Sequence, residues 1–343
     1  MENEPRKLAS IQRIGKLEPI EGADQIEKAT VLGWQLVVKK GEFKEGDPCV
    51  YCEIDSILPK RPEFAFLEPR HYRIRTIRLK GTVSQGIAFP LSILPEGTKA
   101  ELGSDVTEVV GVEKWLPKIP ANLAGLVKGT FPTWMAKTDE LRVQTIPNVL
   151  TRRQGTICYV TEKVDGASAT FYLKDGVFGV CSRNLDLIET PENAFWSTAR
   201  DLKIEEKLRA ASGGKDLAIQ GELLGPGVQN NRLKLEKRTI KFFNVFDIPS
   251  YSYLNFHDAK EFFKRMDVEM VPIITEEFVV INDIPELVKF ATAMSAVNPK
   301  IWREGIVVRP LVETLDMEMA RDFGNGRFSF KVINPEYLLA YGE

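Results

Sequence analysis

The sequence predicts an α+β chain of two domains, a small N-terminal β-barrel followed by a larger domain of antiparallel sheet with helices. Three observations lead there. At 343 residues the chain exceeds the usual span of a single domain. Residues 1–112 carry only short alternating apolar segments cut by glycine and proline. From Thr138 onward the apolar segments lengthen and helical periodicity sets in between them. Hydrophobic residues make up 43% of the chain, so a sizeable core can be buried.

The N-terminal strands are expected in "LASIQRIGKLEPI", "ATVLGWQLVVKKGEF", "PCVYCEIDSILP" and "YRIRTIRLKGTVSQGIAFPL", with a short helical turn around "GADQIEKA". About five strands with one such turn fit an OB-fold. Cys49 and Cys52 form a lone C-x-x-C with no second cysteine or histidine pair nearby, so they read as buried structural thiols rather than a zinc or redox site. The net charge of −2 carries no global signature of a nucleic-acid partner. Basic residues nevertheless cluster in "RHYRIRTIRLK" (70–80) and "NNRLKLEKRTIK" (230–241). Such stripes are ordinarily solvated surface, yet two of them would suit a phosphate backbone. Arg73, Arg75, Arg78 and Lys80 are the candidate contacts, and a β-domain used only for packing or assembly is the competing reading.

Residues 113–135 are proline-rich and read as a linker between a domain at 1–112 and one at 136–343. In the second domain Asp175-Gly176 signals a hairpin. Thr190-Pro191 reads as the start of a helix running to about Ala211. "DLAIQGELLG" and "TIKFFNVFDI" look like buried strands, 257–266 and 284–296 like helices, and "EGIVVRP" and "RFSFKVI" like two further strands. No apolar run approaches a membrane span and the first residues, "MENEPRKLAS", are polar, so a soluble intracellular protein is expected.

The chemistry centres on "TEKVDGASATFY" (161–172), where the apolar run Ile157–Val160 ends on Lys163 with Asp165 and Gly166 behind it. Alone, K-x-D-G is a weak signal. It is followed in order by "SRN" (182–184), "QGEL" (220–223), "FFNVFDI" (242–248), "EGIVVRP" (304–310) and "FSFKVIN" (328–334). That ordered series resembles the covalent lysine nucleotidyltransferases, the superfamily of DNA ligases, RNA ligases and mRNA capping enzymes, over residues 138–343. Ser168, where DNA ligases usually carry arginine, makes the chain most similar to an ATP-dependent RNA ligase. The N-terminal β-domain resembles the Naegleria and Deinococcus type, in which an OB domain precedes an antiparallel-sheet, ATP-grasp-like ligase domain. Only 12 residues follow Lys331, so no OB domain is expected after the last motif.

The resemblance implies a role for each motif. Lys163 would attack the α-phosphate of ATP, once burial and neighbouring cations lower its pKa enough to free the amine. Glu162 and Val164, beside it, would belong to the nucleotide pocket. Glu304 and Asp165, with Glu222, would hold Mg²⁺ or Mn²⁺, and Glu222 would also accept hydrogen bonds from the ribose. Arg183 would grip phosphate, Phe246 would stack on adenine with Phe243 as second choice, and Lys331 would stabilise charge on the α-phosphate. Many RNA ligases carry lysine where Ser329 stands; either Arg327 compensates or one phosphate contact is missing. The substrate implied is RNA with 3′-hydroxyl and 5′-phosphate ends, held as a nicked duplex and oriented by the N-terminal domain. Two alternatives stay open: the same chemistry on DNA or in a transferase modifying RNA ends, and an inactive OB-containing RNA-binding protein.

Overall fold

A computed structural model of the chain describes residues 7–54, 56–75, 77–80, 82–115, 127–316, 319 and 326–342. Near the N-terminus, Pro48–Cys52 pairs antiparallel with Ala9–Arg13 on one side and Ile87–Phe89 on the other. Ile26–Val31 pairs antiparallel with both Leu17–Pro19 and Trp34–Lys39. Residues 22–29 are therefore a turn and then a strand, not a helical turn: two flanking partners satisfy this backbone better than an isolated helical turn would. Cys49 and Cys52 are buried and unlinked, and burial pushes the Cys49 thiol up to about 12, as a packing role requires.

The second domain is built on two sheets. One is seven-stranded, in the order Val127–Thr130, Leu185–Leu187, Val177–Ser182, Ala167–Lys174, Leu217–Leu224, Thr239–Asp247, Ser252–Tyr253. The other is five-stranded: Leu141–Arg142, Phe330–Ile333, Gly305–Pro310, Ile157–Lys163, Ile273–Val279. The single parallel pairing in this second sheet joins Leu141–Arg142 to Phe330–Ile333. Helices cover the outer faces. Trp196, Ala199, Leu208, Phe262 and Phe263 pack on Phe171, Val180 and Ile219 of the first sheet. Val149, Leu150, Leu287 and Ala291 pack on Val160, Ile306 and Val332 of the second. With both outer faces covered, the inner faces are left opposed across a cleft.

Three sequence expectations shift. Thr190-Pro191 does not open the helix; Asn193 does, accepting from the N–H groups of Phe195 and Trp196. Lys203, at φ 55°, then divides the expected helix into Ala194–Asp201 and Ile204–Ser212. The helix at 284–296 ends at Ala291, because Ser295 and Ala296 turn away to hydrogen-bond Glu162. The proline-rich connection contributes paired backbone too. Glu113–Lys114 pairs with Ser56–Ile57, and Val127–Thr130 edges the seven-stranded sheet.

The last helix, Pro335–Tyr341, ties the halves of the molecule together. Its Tyr337 and Leu338, with Ile333 before it, belong to the same buried cluster as Val31, Trp34, Val50 and Phe64. No described helix is long and apolar enough to cross a membrane.

Candidate active site

Lys163 is the last residue of its strand in the five-stranded sheet, and Ala167 the first of its strand in the seven-stranded sheet. The lysine motif is thus the crossover between the two layers. Gly166 is required there: a Cβ would lie 2.3 Å from the Leu223 carbonyl oxygen. Pairing then gathers the other motifs. Lys163 lies opposite Gly305, which brings Glu304 alongside, and its Nζ is 2.6 Å from Glu304 Oε1. Glu222 lies opposite Ser168 in the facing sheet, and the Gly166 N–H donates to its carboxylate. Lys331 lies opposite Val307, one side-chain step further along the sheet than Gly305.

Electrostatics in this cluster run partly against the sequence expectation. Burial pulls the pKa of Lys163 down, but Glu304, Glu222 and Asp165 together outweigh it and hold it above its ordinary value. In the nucleotide-free site the lysine is therefore a paired ammonium. Burial pushes Glu222 up to about 8, helped by Glu304 and Asp165. Burial and Asp165 likewise raise Glu304. Lys331 moves the other way: burial, Arg142 and Lys163 push it down to about 7. Crowded carboxylates with raised pKa values favour a cation. Among the described residues, however, no three acidic, histidine or cysteine side chains converge closely enough to cage one. The donor set fits a hydrated hard cation held through its waters by Glu304, Asp165 and Glu222.

Other expected residues are placed as follows. Val164 is buried in an apolar cluster with Leu224, Leu233 and Val271, against which Phe243 packs, and the Arg309 guanidinium lies 5.4 Å from the Phe243 ring centroid. Phe246 is 1% exposed, met edge-on by Tyr251 and Tyr253 and packed on Phe131 and Met135. It has no free face for a base, whereas Phe243 packs against the cluster that holds Val164 of the lysine motif. Glu162 points away from Lys163 by strand alternation and accepts from Ser295 Oγ and the Ala296 N–H; it braces the strand that carries Lys163 rather than lining the pocket. Arg183 is exposed at the rim and pairs with Asp139, whose charge acts on Lys331.

Ser329 is buried, and its hydroxyl has no hydrogen-bond partner. It lines a cavity of about 90 Å³ with Lys137, Asp139, Asn244, Tyr253 and Arg327. Arg327 cannot stand in for a lysine there. It donates to Glu313 and to Asn244 Oδ1 and stacks 3.8 Å from the Tyr253 ring centroid. Thr161 Oγ1, Thr170 Oγ1 and Arg309 Nη1 are also buried without partners, on strand faces turned to the cleft. Sequence reasoning missed these, and it missed Tyr337 and Arg142; Arg232 carried only the signal of its basic stretch.

In the N-terminal domain the candidate cations separate. The Arg73 guanidinium lies 3.5 Å from the Trp115 ring centroid, and Arg75 donates to the Gly342 carbonyl at 3.3 Å. Lys80 is exposed, and the side chain of Arg78 lies outside the described residues.

Comparison with known proteins agrees with this geometry. An OB-fold domain model matches residues 8–91, and the RNA ligase model matches residues 156–333. No curated protein matches. Among solved structures the chain is similar to Naegleria gruberi RNA ligase with PPi, at 37% identity and a TM-score of 0.85, covering 97% of this chain and 98% of that one. A lysine-to-alanine variant of the Naegleria enzyme with ATP and Mn matches at 36% identity with the same coverages and a TM-score of 0.84. A glutamate-to-alanine variant with AMP and Mn matches at 36% identity, again with the same coverages and a TM-score of 0.84. With its OB-fold domain, its two-sheet catalytic domain and its crossover lysine, the chain belongs to the RNA ligase family.

Proposed function

We infer that the protein is an ATP-dependent RNA ligase working through a lysyl-AMP intermediate. The observation that carries this is the convergence, on opposed sheets, of Lys163, Glu222, Glu304, Asp165 and Lys331, each acting on the charge of another. Lys163 Nζ attacks the α-phosphorus of ATP, the bond to the bridging oxygen breaks, and pyrophosphate leaves. AMP then passes to the 5′-phosphate of an RNA end. A 3′-hydroxyl attacks that activated phosphate, forms the phosphodiester and releases AMP.

Each residue has a physical task. Lys163 must shed its proton, and Glu304 Oε1, at 2.6 Å, is the atom placed to receive it. Lys331, pushed down to about 7 and so only partly charged near neutral pH, gains a proton as phosphate approaches and then stabilises charge on the α-phosphate. Phe243 offers a ring to adenine, while Thr161, Thr170 and Arg309 offer unpaired polar atoms at the cleft floor. Glu222 receives the ribose hydroxyls, and Arg183 exchanges Asp139 for phosphate. Glu304, Asp165 and Glu222 would hold a hydrated Mg²⁺ or Mn²⁺ ion, whose positive charge would lower the lysine pKa and help neutralise the α-phosphate. The N-terminal domain, residues 1–112, orients a nicked duplex, with Lys80 among its contacts.

ATP labelled on the α-phosphate should tag the protein covalently, and Lys163→Ala should remain untagged. Tagging that survives in Lys163→Ala ends the assignment. Sealing of nicks that differ only in the sugar of the 3′-hydroxyl strand separates RNA from DNA: equal rates for ribose and deoxyribose remove the RNA specificity.

A further inference from the structure

Behind Asp165 the site runs directly into the last helix of the chain. Arg232, from the loop after Leu217–Leu224, donates through one nitrogen to Tyr337 OH at 2.7 Å and reaches Asp165 Oδ2 at 3.4 Å. The Arg232 guanidinium also lies 5.5 Å from the Tyr337 ring centroid and 4.8 Å from that of Tyr341. Tyr337 is 1% exposed, and its hydroxyl sits beside both Asp165 and Glu304. A tyrosine used only for packing has no need of a hydroxyl amid buried carboxylates and an arginine, since desolvating those groups costs stability unless they are held in fixed geometry.

The same helix holds the site at a second point. Asn334 caps it, accepting from the Glu336 N–H. Its own backbone N–H donates to the Glu304 carbonyl at 2.9 Å, and its side-chain amide donates to the Arg303 carbonyl at 2.9 Å. One end of the helix therefore fixes the backbone of Glu304, and its next turn carries the hydroxyl that anchors Arg232 against Asp165. Leu338 seats the helix in the N-terminal core.

We propose that Tyr337 is a positioning residue for lysine adenylylation: its hydroxyl anchors Arg232, which holds Asp165 in place beside Lys163. The inference rests on the adenylylation reading above. Small misplacements of groups around a reacting centre cost rate far more than affinity.

The test is single-turnover formation of the covalent AMP adduct by the full chain. Tyr337→Phe keeps the ring and its packing. It should lower the adenylylation rate at saturating ATP about tenfold, with the ATP concentration for half-maximal rate changed less than about twofold and the melting midpoint held within a few degrees. Arg232→Lys, which keeps the charge and loses the planar guanidinium set against the Tyr337 and Tyr341 rings, should reproduce this. Combining Tyr337→Phe with Asp165→Asn should slow the reaction no further than Asp165→Asn alone. A parental rate in Tyr337→Phe overturns the proposal. So does a fully multiplicative double variant, or a loss that appears only as a lower melting midpoint or a smaller reactive fraction. If the parent protein itself takes no label, it is the adenylylation reading that has failed.

Discussion

Lys163 Nζ and Glu304 Oε1 stand 2.6 Å apart, so the proposed nucleophile rests as half of an ion pair before ATP arrives. Removing Glu304 should separate amine reactivity from catalysis. Burial lowers the pKa of Lys163 and Glu304 is the strongest influence raising it, so Glu304→Gln leaves more free amine at any given pH. In that variant Lys163 should react several-fold faster with a small neutral acylating reagent near pH 8, read by peptide mass spectrometry. Adenylylation by ATP should fall at least about a hundredfold, because proton acceptor and cation site are lost together.

Lys331 should make ATP binding take up a proton. In the free site it titrates at about 7, so near pH 8 it is mostly neutral. Phosphate beside it favours the ammonium form, which raises its pKa and draws a proton from solution. Calorimetry in buffers of different ionisation enthalpy should detect uptake approaching one proton per ATP near pH 8, vanishing at pH 6 where the lysine is already charged. Lys331→Arg, charged throughout, should abolish the uptake at pH 8.

Phe243 and Phe246 should differ in what their loss damages. Phe246→Ala empties a fully buried site and should cost about 3–5 kcal/mol of stability, read from denaturant unfolding. Phe243→Ala should leave most of that stability intact and weaken ATP binding about tenfold, read by titration of the nucleotide.

Ser329→Ala should be harmless to the fold. Its hydroxyl is buried with no partner, so removing it relieves a desolvation cost instead of breaking a bond. Urea unfolding should show a change within about 1 kcal/mol, in the stabilising direction.

Lys163 and its charged neighbours were legible because they belong to an ordered series of motifs, each on or beside an apolar run that announces a strand. Lys163 closes "ICYV", Glu222 lies within "LAIQGELL", and Glu304 opens "GIVVRP". The choice of Phe246 over Phe243 came from the resemblance, and nothing within "FFNVFDI" shows that Tyr251, Tyr253, Phe131 and Met135 close over Phe246, because those contacts come from outside the motif. The contact between Tyr337 and Arg232 was invisible for a different reason: it joins residues 105 apart, and nothing local in either stretch calls for the other. The pKa of Lys163 was misjudged because a sequence supplies the carboxylates without the distances that let them outweigh burial.

A nucleotide carried on Lys163 would be fastened at the seam where one sheet becomes the other, on the last residue of one strand and four residues before the next begins. Its base and sugar would meet side chains from both layers while its phosphorus would be bonded to the join itself. Any parting of the layers that admits RNA would therefore pull on the adenylate at its root, so that making room for the second substrate and loosening the first become a single movement.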